Sequence, residues 1–308
     1  MNANKASKGE STLVSRLALI IGICAISTAA ILIRKCEAPS IAIAAYRLAI
    51  AALILLPVEL IKQRAVPSRR EVGWALLSGF FLAMHFSLWI TSLAYTSVAS
   101  SVLLVTMNPL FVMVISWLVL GERTPKSTTA AVALGLIGTV TISWGDFTSG
   151  TDPLLGDALA LGGALAASAY LITGRVARRI MPTNTYVAWC YSASALFLIA
   201  AMLLMGHPIK IYPAETMTYM ILLALVPQLI GHTVINWSLA HLPAPTVAVA
   251  ILGEAVGATL LAWAVLGEAP PAMTIIGAAF IIAAIVIVFR ENPKKSEPEE
   301  NQPELNPL

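Results

Sequence analysis

The chain has 308 residues, of which 58% are hydrophobic and only 11% charged, with a mean hydropathy of +0.83 and a formal net charge of +3. A soluble domain carries about 25% charged residues, so a large soluble domain is excluded and a lipid bilayer is the expected solvent. A net charge this small gives no electrostatic case for nucleic acid as a partner. The three cysteines, Cys24, Cys36 and Cys190, supply neither a disulfide framework nor a paired CxxC zinc motif; they are expected to be packing thiols.

A helix crosses a bilayer with about 20 apolar residues. In chain order the apolar runs are 15–33, 40–61, 72–94, 98–120, 127–144, 155–176, 185–205, 216–239, 244–266 and 271–289, separated by proline, glycine or charge, as at Pro67, Pro125, Pro153, Pro182, Pro208, Pro213, Pro243 and Pro270. The first run follows Lys5, Lys8 and Arg16 as a signal peptide would. Its apolar stretch is longer than a signal core and lacks a small-x-small exit, so it reads as a retained span. The second run carries Arg47. The third places His85, Trp89 and Ser92 on one face, and the eighth spaces Gln228, His232 and Asn236 by four. The fourth holds Asn108 before Pro109, and the ninth holds Glu254 within Gly253-x-x-x-Gly257. The expected fold is thus an all-α polytopic membrane protein with ten transmembrane helices.

With ten spans the 19 Lys and Arg residues sort sharply. If the N-terminus is cytoplasmic, the inner segments hold all of them except Arg34, Lys35 and Lys210 in outer loops and Arg47 within a span. Lys and Arg accumulate on the cytoplasmic side, which places both termini inside. Residues 1–14 then form a cytoplasmic tail, and residues 290–308, rich in Pro and Glu, a disordered one.

At a constant shift of 146 residues, Ser92-Leu93-Ala94 falls on Ser238-Leu239-Ala240, Trp117 on Trp263, Leu120-Gly121-Glu122 on Leu266-Gly267-Glu268, and Pro125 on Pro271. Several unrelated positions agreeing at one ungapped offset indicate a duplicated five-helix unit, over 15–144 and 155–289. Five is odd, so the second copy enters the membrane from the opposite side. Two inverted repeats are a common architecture of secondary transporters.

Residues 85–142 resemble the repeat unit of the drug/metabolite transporter superfamily, in its EamA-type ten-helix branch, and 231–288 are similar to the same unit. Arg47 matches a recurrent arginine of that family. The resemblance implies a prokaryotic inner-membrane carrier, generally an exporter of metabolites, with no cofactor or metal. The family's ninth span has Glu-Pro where this chain has Glu254-Ala255, which removes the proline that breaks that helix. The first copy keeps Asn108-Pro109.

An ionisable group in hydrocarbon costs about 2.5–3.5 kcal/mol on insertion scales, so each one demands a reason. Glu254 lies about ten residues into its span, or ~15 Å of helix, near the midplane; the 146-residue shift pairs it with Asn108. It either binds a proton or a substrate amine, or is a structural residue bonded to a neighbouring helix. Arg47 either grips a substrate carboxylate in two-pronged fashion or ties helices together and snorkels. Glu254 and Asn108 are expected to flank a central cavity, with Asn108 among its substrate-binding residues; His85, Trp89, Gln228, His232 and Asn236 are expected to line that cavity, shared between the repeats, or else to act as interhelical packing donors. Tyr95, Trp117, Trp237 and Trp263 fit an interfacial aromatic belt, and Glu122 and Glu268 sit at turns.

The function that follows is a secondary active carrier, exporting small metabolites such as amino acids by alternating access, with a small-molecule substrate, the bilayer and protons as partners. No GxxxxGK[ST] sequence supplies an ATP engine. The competing readings are a passive channel or a sensory scaffold, which would not require Glu254, and an intramembrane enzyme. Against the last, the chain has no HExxH, no GxSxG and no pair of intramembrane aspartates.

Overall fold

The computed structural model describes residues 2–62, 67–96, 98–121, 124–142, 151–266 and 272–290, and these are helical with no strand among them. The helices are α1 (Asn2–Ile26), α2 (Ala29–Arg34), α3 (Ser40–Lys62), α4 (Arg69–Ser92), α5 (Val98–Val105), α6 (Asn108–Leu120), α7 (Lys126–Ile142) and α8 (Pro153–Arg178). They continue with α9 (Thr183–Leu204), α10 (Ala214–Leu223), a π-helix (Ala224–His232), α11 (Thr233–Ser238), α12 (Ala244–Ile251), α13 (Gly253–Leu266) and α14 (Ala272–Arg290). Among the described residues, nine stretches are long and apolar enough to cross a membrane. Helix α7 is described over 17 residues and lies along α14. Residues 143–150 and 291–308, and with them the expected C-terminal tail, fall outside the described residues, as do Glu122 and Glu268. Helix α1 starts at Asn2, through the segment expected as an N-terminal tail, and its apolar part begins at Val14.

Four of the expected continuous spans are interrupted, each for a local reason. The first bends at Ser27-Thr28, whose hydroxyls donate back to Ile23 O and Ala25 O, both at 2.8 Å. The fourth breaks at Thr106-Met107, where Thr106 Oγ1 donates to Val102 O and Leu103 O and Pro109 removes a donor in the next turn. The ninth breaks at Leu252 although no proline follows Glu254: the helix turns tightly, with Leu252 N donating to Val249 O, and restarts at Gly253. The eighth widens into a π-helix around Pro227, a looser turn that accommodates a residue without an N–H.

Small residues let the helices touch. A Cβ on Gly231 would lie 2.5 Å from Ile26, and one on Gly257 would lie 2.2 Å from Ser27 Oγ, so α1 passes directly over both the π-helix and α13. The Gly253-x-x-x-Gly257 pair is therefore a helix-crossing surface. Helix α4 packs along α8 and α9, α3 along α9, α1 along the π-helix and α11, and α12 crosses α6. The outer faces carry bare apolar side chains such as Leu53, 74% exposed, and Leu196, 68% exposed. A water-facing protein avoids such a surface; lipid tails accept it. Trp117 and Trp263 are also outward-facing, at 56% and 52% exposed.

Two chain corners carry the same backbone hydrogen bonds at the 146-residue offset. In the α4–α5 corner Ala94 N donates to Thr91 O, Tyr95 N to Ser92 O and Thr96 N to Ser92 O. In the α11–α12 corner Ala240 N donates to Trp237 O, His241 N to Ser238 O and Leu242 N to Ser238 O.

Candidate functional site

The helix breaks converge. A cavity of about 50 Å³ is lined by Ile26 and Ala29 at the α1–α2 bend, Thr106 and Asn108 at the α5–α6 break, and Ile251 and Glu254 at the α12–α13 break. Arg47 of α3, His85 and Trp89 of α4, Tyr170 of α8 and His232 at the end of the π-helix complete its polar wall. The cavity thus has irregular backbone and polar side chains in the middle of the bundle, where non-helical backbone is tolerated in a membrane protein because it lines a cavity.

Arg47 is fully buried, 0% exposed. Its Nε donates to Gln228 Oε1 at 2.9 Å, and its guanidinium lies 4.1 Å from the centre of the Phe86 ring. Those two contacts fix the plane of the fork and leave Nη1 and Nη2 without a hydrogen-bond partner. Glu254 enters the cavity from the second residue of α13. Glu254 is partly exposed and lines the cavity, and the hydrogen bond it accepts from Ser27 Oγ goes to its backbone oxygen, at 3.4 Å. The cavity therefore holds a guanidinium and a carboxylate that do not bond to each other.

The aromatic side is more rigid. His85 Nδ1 lies 3.0 Å from Gly163 O, which fixes that nitrogen as the protonated one. The ring stacks on Trp89 with 8° between planes. Phe86 packs edge-on to His232. Further polar atoms of the cavity wall are buried without partners: Trp89 Nε1, Asn108 Oδ1 and His232 Nδ1. Buried polar groups in proteins are nearly always bonded, so such a concentration at one cavity marks groups available to a ligand.

Of the residues predicted from sequence, Arg47, His85, Trp89, Asn108, His232 and Glu254 line the one cavity. Gln228 and Asn236 do not. Gln228 stands behind Arg47 and orients it, while Asn236 donates to His232 O at 2.7 Å and to Tyr170 Oη. Gln228 lies within the π-helix and Asn236 in the regular α11 that follows it. Sequence reasoning missed Phe86 and Tyr170, which are apolar or nearly so by composition and gave no signal in a hydrophobic span. Among the described residues, no three His, Cys, Asp or Glu side chains gather to hold a metal ion.

A multi-pass helical bundle whose unpartnered polar groups converge on an internal cavity has the build of a membrane transporter. The model of the EamA-like transporter family matches residues 14–144 and again 154–290, and the chain belongs to that family. It is 26% identical over 254 residues to the pseudopaline exporter CntI of Pseudomonas aeruginosa, covering 82% of this chain and 87% of that one. It is 27% identical over 270 residues to a riboflavin transporter of Vibrio cholerae, covering 85% and 87%. An uncharacterized transporter of Clostridium kluyveri is 24% identical over 261 residues, covering 80% and 83%. A solved crystal structure superimposes with a TM-score of 0.73 at 19% identity, over 91% of this chain and 98% of that one, which shows a shared fold. The protein is a multi-pass membrane transporter.

Proposed function

We propose that the chain is a secondary active exporter of small zwitterionic metabolites such as amino acids, working by alternating access around the Arg47–Glu254 cavity. The observation that carries this reading is the buried Arg47 fork, whose Nη1 and Nη2 have no partner, sharing a cavity with the partly exposed Glu254 carboxylate. A buried charge without a partner costs several kcal/mol, and a ligand carboxylate relieves that cost while an ammonium on the same ligand meets Glu254. The carboxylate meets Arg47 Nη1 and Nη2; the ammonium meets Glu254 and Asn108 Oδ1. Glu254 is also the group through which proton coupling or exchange would act.

In this reading the membrane is crossed ten times, α7 being the fifth crossing, by two inverted five-helix units over 15–144 and 155–289. Three observations support it. The family match falls into two segments; the two corners share their hydrogen bonds at one offset; and the packing of α4 on α8 has its counterpart in that of the π-helix on α1. The charge distribution favours both termini in the cytoplasm of a bacterial inner membrane.

Counterflow in proteoliposomes, with a panel of radiolabelled amino acids, tests the function. Saturable uptake stimulated by internal substrate is expected. Flux that rises without saturation would make the protein a channel, and chemical turnover of the label would make it an enzyme.

A further inference from the structure

The cavity, at about 50 Å³, accommodates a few water molecules, so a metabolite enters only as the surrounding helices part. The contacts that hold them together at each end therefore govern entry. We propose that Asp157 and Arg175 are positioning residues of the transport cycle, latching the two offset-related chain corners from opposite ends of α8, each latch closing the cavity toward one face of the membrane. This inference rests on the alternating-access reading above.

Asp157 and Arg175 are 18 residues apart on one helix, or ~27 Å at 1.5 Å per residue, close to the ~30 Å of a hydrocarbon core. At the first end Asp157 Oδ1 accepts hydrogen bonds from Thr96 Oγ1 at 3.0 Å and Ser100 Oγ at 2.9 Å. The backbones meet there too: Asp152 N donates to Tyr95 O, and a Cβ on Gly156 would lie 2.8 Å from Thr96 N. At the other end Arg175 Nη1 donates to Leu242 O at 2.8 Å. Leu242 is the residue that the 146-residue offset pairs with Thr96. One helix thus grips the same point of both corners, with an acid at one end and a base at the other.

The middle of α8 is tied to the cavity wall. Gly163 O accepts from His85 Nδ1, and Ser168 Oγ donates to Asn108 O at 3.1 Å. A stiff helix held at its centre and latched at both ends acts as a lever: a tilt that stretches one latch presses the other closed. Alternating access requires that the two sides not open together, and a single lever carrying both latches supplies that exclusion. Because its fulcrum touches His85 and Asn108, a ligand in the cavity bears directly on it.

The test uses the full chain with Cys24, Cys36 and Cys190 replaced and one cysteine placed at Ala167 in the cavity wall. A membrane-impermeant maleimide is applied to right-side-out and inside-out vesicles. Cysteines at Ile209 and Ile180, in separate samples, mark the Asp157 and Arg175 faces. Asp157→Ala should raise labelling of the cavity cysteine from the Asp157 face by roughly tenfold or more, the ratio that even one of the two charge-assisted hydrogen bonds it removes would set, and lower it from the other face. Asp157→Asn, whose amide oxygen still accepts from both hydroxyls, should restore the original sidedness. Arg175→Gln should shift labelling the opposite way. If Asp157→Ala does not purify as a folded protein, the Thr96→Val, Ser100→Ala pair removes the same bonds from the partner side. Equal changes at both faces, or none, would overturn the latch. A parent protein whose flux does not saturate would instead overturn alternating access itself.

Discussion

Replacing Arg47 by lysine keeps a buried positive charge but removes the planar fork. The side chain loses the Nε bond to Gln228 and the face that lies on Phe86, and a lysine ammonium offers one point of contact where Nη1 and Nη2 offer two. One charge-assisted hydrogen bond to the substrate carboxylate is lost, about 1.5–3 kcal/mol, which at about 1.4 kcal/mol per decade is roughly a 10- to 150-fold rise in half-saturation. Arg47→Met goes further and leaves Glu254 without its counter-charge; Glu254→Gln leaves Arg47 without its own. If both charges answer to one zwitterion and to each other's field, the double variant should be less damaged than the two single losses added together. The assays are counterflow for half-saturation and thermal unfolding in detergent for stability. The reasoning is refuted if Arg47→Lys transports with unchanged half-saturation, or if the two single stability losses add to within about 0.5 kcal/mol.

Glu254→Gln keeps size and hydrogen-bonding capacity while removing the titratable charge, so gradient-driven accumulation should be lost while much of the passive exchange survives; unchanged pH-dependent accumulation would return Glu254 to a structural role. Trp89→Phe removes the unpartnered indole donor and should weaken binding by about 0.5–1.5 kcal/mol, read as a shift in half-saturation, with Trp89→Ala costing more through lost packing. Gly257→Val should abolish folded yield, because even its Cβ would stand 2.2 Å from Ser27 Oγ; normal monodisperse yield would show that α1 and α13 do not need that contact. A cysteine introduced in the 147–150 segment should react with an impermeant thiol reagent on intact cells and one beside Lys126 should not; the reverse pattern would overturn the charge-based orientation.

The helices themselves were legible because hydrocarbon imposes a long apolar run on anything that crosses it. Arg47, His85, Asn108, His232 and Glu254 stood out for the same reason: a polar group in such a run is expensive enough to be noticed. The interruptions were harder. Pro109 announced the α5–α6 break, whereas the α12–α13 break has no proline at its second half and depends on Gly253 and the tertiary fit around Leu252. The π-helix was invisible to a four-residue spacing argument, and spacing could not show that Gln228 is engaged by Arg47 and Asn236 by Tyr170 and the His232 carbonyl. Asp157 passed unnoticed because a carboxylate one turn from a span's end reads as ordinary interfacial charge, and only the positions of Thr96 and Ser100 give it a role.

The π-helix also makes the two halves of the chain locally unlike. Its counterpart at the 146-residue offset is residues 78–86 of α4, a regular α-helix bonded at Ser78 to the Tyr186 hydroxyl and at His85 to Gly163. One member of the pair is a stiff rod; the other is a compliant spring with Pro227 at its centre. If the protein works by alternating access and the spring deforms with less work than the rod, opening toward one face and opening toward the other would be unequal in energy even with no solute gradient. Such a carrier would have a preferred resting side. Direction would then be written partly into helix elasticity and not only into the driving ion.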